Sequence, residues 1–127
     1  CIMSAAVSDY KPSESYKNKL KKSSNKSLQI ELKLNKDIIK TLGSIKGKNQ
    51  KLIGFALETD DEIKNSIIKL ENKNLDAIVL NSLNVNGSGF NSDTNKISFI
   101  TSTLIKDFPL KNKRNVAKDV LFEIFNL

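Results

Sequence analysis

The chain has 127 residues, 39% of them apolar, enough for one modest core and therefore a single domain or part of one. Its 21 basic and 14 acidic residues leave a net charge of +7, a surplus that favours anionic partners. One cysteine, Cys1, excludes an internal disulfide, and the lack of histidine excludes both a His/Cys metal set and a Ser-His-Asp triad. No run of about 18 apolar residues is present, no signal peptide precedes the first strand, and the reading is of a cytoplasmic protein. Cys1-Ile2-Met3 reads as the inside of a strand with no initiator methionine before it, so the chain is expected to be a piece of something longer.

Residues 1 to 7 read as a buried strand of small and apolar residues that ends in Ser8-Asp9-Tyr10. Residues 11 to 27 form a polar Ser/Asn/Lys loop, in which Lys11, Lys17, Lys19, Lys21, Lys22 and Lys26 face Glu14 alone. Much of the positive surplus therefore sits on one segment, a basic flap of mobile ammonium groups suited to phosphate. Leu28-Gln29-Ile30-Glu31-Leu32-Lys33-Leu34 alternates strictly and predicts a strand with one covered face. Asn35 is placed to cap a short helix with Ile38, Ile39 and Leu42 inward and Gly43 as its stop.

Leu52 to Leu57 is a continuous apolar run, as expected of a strand covered on both faces. Thr59 and Glu62 have the spacing of a capping box for a second helix, with Ile63, Ile67 and Leu70 inward. Leu75 to Leu80 returns as a buried strand, and Asn81 to Asn95, with Gly87, Gly89 and Asp93, as a polar loop. Lys96 to Thr101 is a strand, Thr103 to Leu110 a short edge strand running up to Pro109, and the last helix starts near Asn112 or Lys113 with Val116, Val120, Leu121, Ile124 and Phe125 inward. Strands alternating with helices predict an α/β domain with a mostly parallel central sheet. Such sheets take ligands beyond the carboxyl ends of their strands, which here points to Asp9, to Phe55 through Glu58, and to Asn81 with the loop after it.

Five stretches together carry a resemblance: Ala-Ala-Val-Ser-Asp-Tyr at 5 to 10, Lys-x-Lys-Lys at 19 to 22, Asn-x-Asp-Ile at 35 to 38, Gly-Phe-Ala-x-Glu-Thr at 54 to 59, and Gly-Phe-x-Ser-Asp-Thr-Asn at 89 to 95. In this order and spacing they resemble the carboxyl-terminal part of phosphopantothenate–cysteine ligase, which in bacteria is usually the second half of a bifunctional coenzyme A biosynthesis flavoprotein whose first half is a decarboxylase. The likeness runs from residue 1 to about 125 and implies a Rossmann-like three-layer sandwich, incomplete because the amino-terminal half of the ligase is absent. Residues 1 to 127 are then the carboxyl-terminal part of the ligase domain, with the flap at about 11 to 27.

The resemblance implies CTP as the nucleotide, with 4'-phosphopantothenate and cysteine as the other substrates. The phosphopantothenate carboxylate attacks the α-phosphate to give an acyl-cytidylate and pyrophosphate, and the cysteine amine then displaces CMP. Ala5, Asp9, Lys19, Asn35, Lys36, Asp37, Ile38, Phe55, Lys69 and Lys73 match the nucleotide-contacting positions, and Lys19 is the catalytic one, reaching the phosphates from the flap. Mg2+ accompanies the triphosphate, the metal ligands being unassigned. FMN belongs only to a fused decarboxylase domain and not to this chain. A homodimer is implied, with no membrane and no nucleic-acid partner, and the fragment alone is expected to be inactive.

The chain departs from the family pattern where Lys36 replaces a proline and where Ser82 replaces the acid of Ala-Asn-Asp. The rival reading is a non-catalytic basic nucleic-acid-binding module, whose loop would track phosphates with steep salt dependence. Against it, only Tyr10 and Tyr16 are interleaved with the basic loop as stacking platforms.

Overall fold

The computed structural model describes residues 1–21, 27–82, 85, 87, 88 and 92–127; the expectations placed on Lys22, Lys26 and Gly89 lie outside them. In chain order the elements are β1 (Ile2–Met3), β2 (Tyr10–Pro12), β3 (Leu32–Leu34), α1 (Ile38–Ile45), β4 (Ile53–Glu58), α2 (Glu62–Asn72), β5 (Ala77–Ser82), β6 (Thr94–Ile100), β7 (Ile105–Asn112) and α3 (Lys113–Phe125). The chain divides into two units, one of residues 1–4 with 38–127 and one of residues 5–37.

The larger unit is built on a five-stranded sheet of order β1-β4-β5-β6-β7. β1, β4 and β5 pair in parallel, β6 runs against β5, and β7 runs against β6. Four of the five strands therefore point the same way, giving the Rossmann-like arrangement expected from alternating strands and helices. The β4–α2–β5 segment is the crossover that a parallel pair requires. Pro109 sits within β7, which tolerates it because β7 is the sheet edge and loses no inner ladder bond.

The two-residue period of the strands sorts their side chains onto two cores. One face carries Ile53, Ala77, Val79, Ile97, Phe99 and Phe108 against Val116 and Val120 of α3. The other carries Ala56, Ile78, Leu80 and Ile100 against Leu70 of α2, with Ile39 and Leu42 of α1 and Ile67 of α2 packed at its margin. Each fully buried aliphatic or phenyl side chain contributes about 1.5–3 kcal/mol, and the sheet interior is where most of them lie. No helix among the described residues is long and apolar enough to cross a membrane.

Several local expectations are corrected. Only Ile2–Met3 of the first apolar stretch pairs as a strand, while Ala5, Ala6 and Val7 are exposed. Asn35 does not cap α1, which starts three residues later; its side-chain amide donates to the Ser8 carbonyl oxygen, and its oxygen accepts from Lys36 N–H. Gly43 does not stop α1 but lies buried within it, because a Cβ there would overlap the Lys73 carbonyl oxygen. Thr59 forms no capping box: the N-cap of α2 is Asp61, held at φ 44° without a side-chain cap bond.

β4 is not covered on both faces either, since Phe55 and Leu57 are each 37% exposed. They share the α3 face with Ile53, yet α3 packs on β6 and β7, leaving this part of the sheet open. On α2, Ile63 is exposed, whereas Leu70 and Ser66 are buried. On α3, Leu121 and Phe125 are exposed, and Val116, Val120 and Ile124 make the contact. Its start is as expected, with the Asn112 side chain accepting from Asn115 N–H at 2.8 Å.

The smaller unit is a two-stranded antiparallel ribbon of β2 and β3, with Tyr10 opposite Leu34, Lys11 opposite Lys33 and Pro12 opposite Leu32. Of the strand expected over residues 28 to 34 only Leu32–Leu34 forms, and the apolar side is uncovered: Leu28, Ile30, Leu32 and Leu34 are 55–71% exposed.

Candidate functional site at the carboxyl ends of the parallel strands

β4 and β5 run side by side from Ile53 opposite Ala77 to Glu58 opposite Ser82, so their last residues form a rim. Ala56, Glu58, Leu80 and Ser82 share the α2 face by the strand period. Glu58, with its side chain 14% exposed, pairs with Lys69 of α2. Next to it, Ser82 Oγ donates to Glu62 Oε1 at 2.9 Å. A carboxylate in place of Ser82, as in the family pattern, would confront Glu62 with like charge, whereas the hydroxyl supplies a proton to it. An open hollow of about 740 Å3 extends along the first turns of α2, lined by Thr59, Asp61, Glu62, Ile63, Lys64 and Ile67.

On the other face Asn81 follows Val79. Asn95 Nδ2 donates to Asn81 Oδ1 at 2.8 Å, and Ser88 Oγ donates to Asn95 Oδ1. This chain of amides fastens the polar loop after β5 to the strand end. Gly87 adopts φ 85°, a conformation that glycine takes without strain, and its carbonyl accepts from Ser92 and Thr94.

The expected site residues are distributed as follows. Lys69 lies at the strand-end rim through Glu58. Phe55 is on β4 but faces the α3 side, so one ligand touching both side chains would have to reach across the ends of β1 and β4. Lys73 is the C-cap of α2, its backbone carbonyl against Gly43, and Ile38 opens α1, 45% exposed. In the ribbon unit, Ala5, Asp9, Lys19, Lys36 and Asp37 are exposed and Asn35 is half-buried. There the Asp9 carbonyl accepts from Asn35 N–H at 2.7 Å, which brings those two positions together. Glu58, Glu62, Asn81 and Asn95 were not singled out as site residues. The strand-end rule reached Glu58 and Asn81, but no sequence spacing signals the pairing of Glu58 with a lysine eleven residues later.

The opposite, amino-end pole of the sheet is built differently. Asp76, just before β5, accepts from Lys46 Nζ and from Leu52 N–H, each at 2.7 Å, and returns its own N–H to the Leu52 carbonyl. Burial pushes the Asp76 carboxyl up, but the hydrogen bonds from Lys46 and Leu52 and the charges of Lys46 and Lys51 outweigh it and hold it below the usual carboxylate value.

A profile of the DNA/pantothenate metabolism flavoprotein C-terminal domain matches residues 1–127. The chain is 48% identical over 127 residues to a protein of an unknown prokaryotic organism named "Cysteine/Cysteine sulfinic acid decarboxylase", covering 99% of this chain and 35% of that relative. It is 40% identical over 124 residues to "Coenzyme A biosynthesis bifunctional protein CoaBC" of Bacillus subtilis (strain 168), covering 97% of this chain and 30% of that relative. The crystal structure of the C-terminal domain of a CoaBC protein superposes with a TM-score of 0.71 at 35% identity, covering 94% of this chain and 50% of that one. A Streptococcus pneumoniae protein of the same family name gives 0.74 at 22% identity and shares the fold. The chain thus spans about a third of the length of these curated relatives, and it belongs to the family of DNA/pantothenate metabolism flavoprotein C-terminal domains.

Proposed function

We propose that the chain forms part of the nucleotide site and of the dimer scaffold of a cytoplasmic phosphopantothenate–cysteine ligase of coenzyme A biosynthesis, inactive without the rest of the ligase domain. The observation that carries this reading is a lysine held at the carboxyl ends of parallel strands, in a chain that matches CoaBC proteins over nearly its whole length. CTP provides the α-phosphate that 4'-phosphopantothenate attacks through its carboxylate, pyrophosphate leaves, and cysteine displaces CMP from the acyl-cytidylate.

Charge develops on the α-phosphate and the departing pyrophosphate, so placed cations are the main resource, and no histidine is required. The resemblance assigns Ala5, Asp9, Lys19, Asn35 to Ile38, Phe55, Lys69 and Lys73 to the nucleotide; of these Lys69 stands at the strand-end rim, whereas Lys73 caps the far end of α2 beside Gly43. Among the described residues no group of three acidic or cysteine side chains stands together to hold a metal. Mg2+ is assigned to the triphosphate, where it keeps water ligands and needs few from protein. FMN is reserved for a decarboxylase domain joined to the ligase.

The ribbon supports the dimer. Leu32 and Leu34 of β3 share a face with Pro12 and Tyr10 of β2, and all four are uncovered. An uncovered apolar face of this kind marks an interaction surface, and a second copy offers an identical one.

A ligase assay on the complete protein with CTP, ATP, 4'-phosphopantothenate and cysteine tests the reading: CTP-dependent pyrophosphate release is expected, with Lys19→Gln lowering turnover by roughly 10²- to 10³-fold. Near-normal turnover of that variant removes Lys19 from the site. The relative at 48% identity favours a second reading, decarboxylation of cysteine or cysteine sulfinic acid. Release of CO2 from either, with no nucleotide consumed, decides for it.

A further inference from the structure

We infer that Glu58 is a positioning residue for nucleotidyl transfer: its carboxylate holds the Lys69 ammonium at the strand-end rim, where the phosphates bind. The inference rests on the reading above, in which Lys69 meets the nucleotide. Glu58 is the last residue of β4 and follows Ala56 on the face covered by α2, so its backbone is fixed by pairing with β5 opposite Ser82. Lys69 stands in the second half of α2, and helical side chains lean toward the helix amino terminus, which carries its amine back to the strand end.

The two exposures differ in a telling way. The Glu58 side chain is 14% exposed and that of Lys69 44%, so the acid is the more buried member of the pair and the lysine the one a ligand can reach. A free lysine stem holds about 2 kcal/mol of rotamer entropy, and a tether removes that freedom before the ligand arrives. An ammonium has three donors, so a bond to Glu58 leaves capacity for two phosphate oxygens. Protein kinases use a Lys–Glu pair in the same manner to place a lysine on ATP phosphates.

Two effects of Glu58 oppose each other. Its negative charge repels a triphosphate in the ground state and the transition state alike, whereas ammonium placement counts most where charge develops. Removing Glu58 should therefore lower kcat without raising KM for CTP.

The test is steady-state kinetics of the complete protein with CTP, 4'-phosphopantothenate and cysteine, joined to a double-mutant cycle. Glu58→Gln is expected to lower kcat about 10- to 30-fold, with KM for CTP unchanged within threefold or reduced. In a Lys69→Met background it should remove less than a further threefold. Glu58→Asp keeps the charge but draws the ammonium back by about one methylene, and should lower kcat about 3- to 10-fold. This variant decides the matter if Glu58→Gln unfolds. Losses that multiply in the cycle, or a kcat unmoved by both Glu58 variants, overturn the positioning role and leave Lys69 in the site. A Lys69→Met protein with unchanged kcat and KM removes Lys69 from the site, and the inference falls with it.

Discussion

The two poles of the five-stranded sheet each hold a lysine–carboxylate pair, and they do different work. At the amino-end pole Asp76 is bound into backbone, through Leu52 N–H and its own N–H to the Leu52 carbonyl, and Gly43 lets α1 lie against the Lys73 carbonyl of α2. At the carboxyl-end pole side chains also pair with side chains: Glu58 with Lys69, Ser82 with Glu62, Asn95 with Asn81. A carboxylate tied to backbone holds elements in place, whereas a side-chain pair such as Glu58 and Lys69 can exchange a partner for a ligand. A salt bridge by itself reveals neither role; what its acid is anchored to does.

Four substitutions sharpen or break that contrast, from the largest expected effect to the smallest. Gly43→Ala drives a methyl into backbone that cannot swing aside, and should destabilise by about 3 kcal/mol, read as a fall of about 10 °C or more in the unfolding midpoint. A stable Gly43→Ala protein would mean that the amino-end pole is looser than its contacts imply.

Asp76→Asn should destabilise by about 2 kcal/mol at neutral pH, the scale of hydrogen bonds to a charged group. Because the folded carboxyl titrates below its ordinary 3.8, the contribution is present above that pH and is lost as pH falls through the lower folded value. The stability gap between the wild-type protein and Asp76→Asn, followed by urea titration across acid pH, should close in that window. A gap that persists below it would assign the effect to packing.

Lys69→Met makes the opposite test. Its ammonium pairs with a side chain at the proposed ligand pole, so under the proposed function CTP turnover should fall, while the midpoint of urea unfolding should shift by less than an Asp76→Asn substitution shifts it. Equal shifts would erase the distinction between the poles. Last, Ser66→Ala should raise stability by about 1 kcal/mol, because the Ser66 hydroxyl of α2 is fully buried with no hydrogen-bond partner among the described residues. A destabilised Ser66→Ala protein would show that the hydroxyl has found one.

Much of this was legible from residue order. Strand and helix alternation gave the α/β sheet, and five spaced motifs gave the family. The apolar runs at Leu52–Leu57 and Leu75–Leu80 named two of its three parallel strands. These features depend on neighbours within a few residues, where steric period and turn chemistry act directly. Capping was read less well: Thr59 had the spacing of a box, yet Asp61 took the cap position, because spacing shows which bond is possible and not which conformation the turn adopts.

Tertiary structure alone decided which apolar residues are covered. Phe55 and Leu57 lie in a run that reads as buried, and Leu121 and Phe125 in a stripe that reads as core, but α3 packs over β6 and β7 and leaves all four exposed. Burial depends on where a distant element comes to rest, and no local pattern encodes that. The same holds for the pairing of Glu58 with Lys69 and of Lys46 with Asp76, formed by residues eleven and thirty positions apart once a helix has been laid across the sheet.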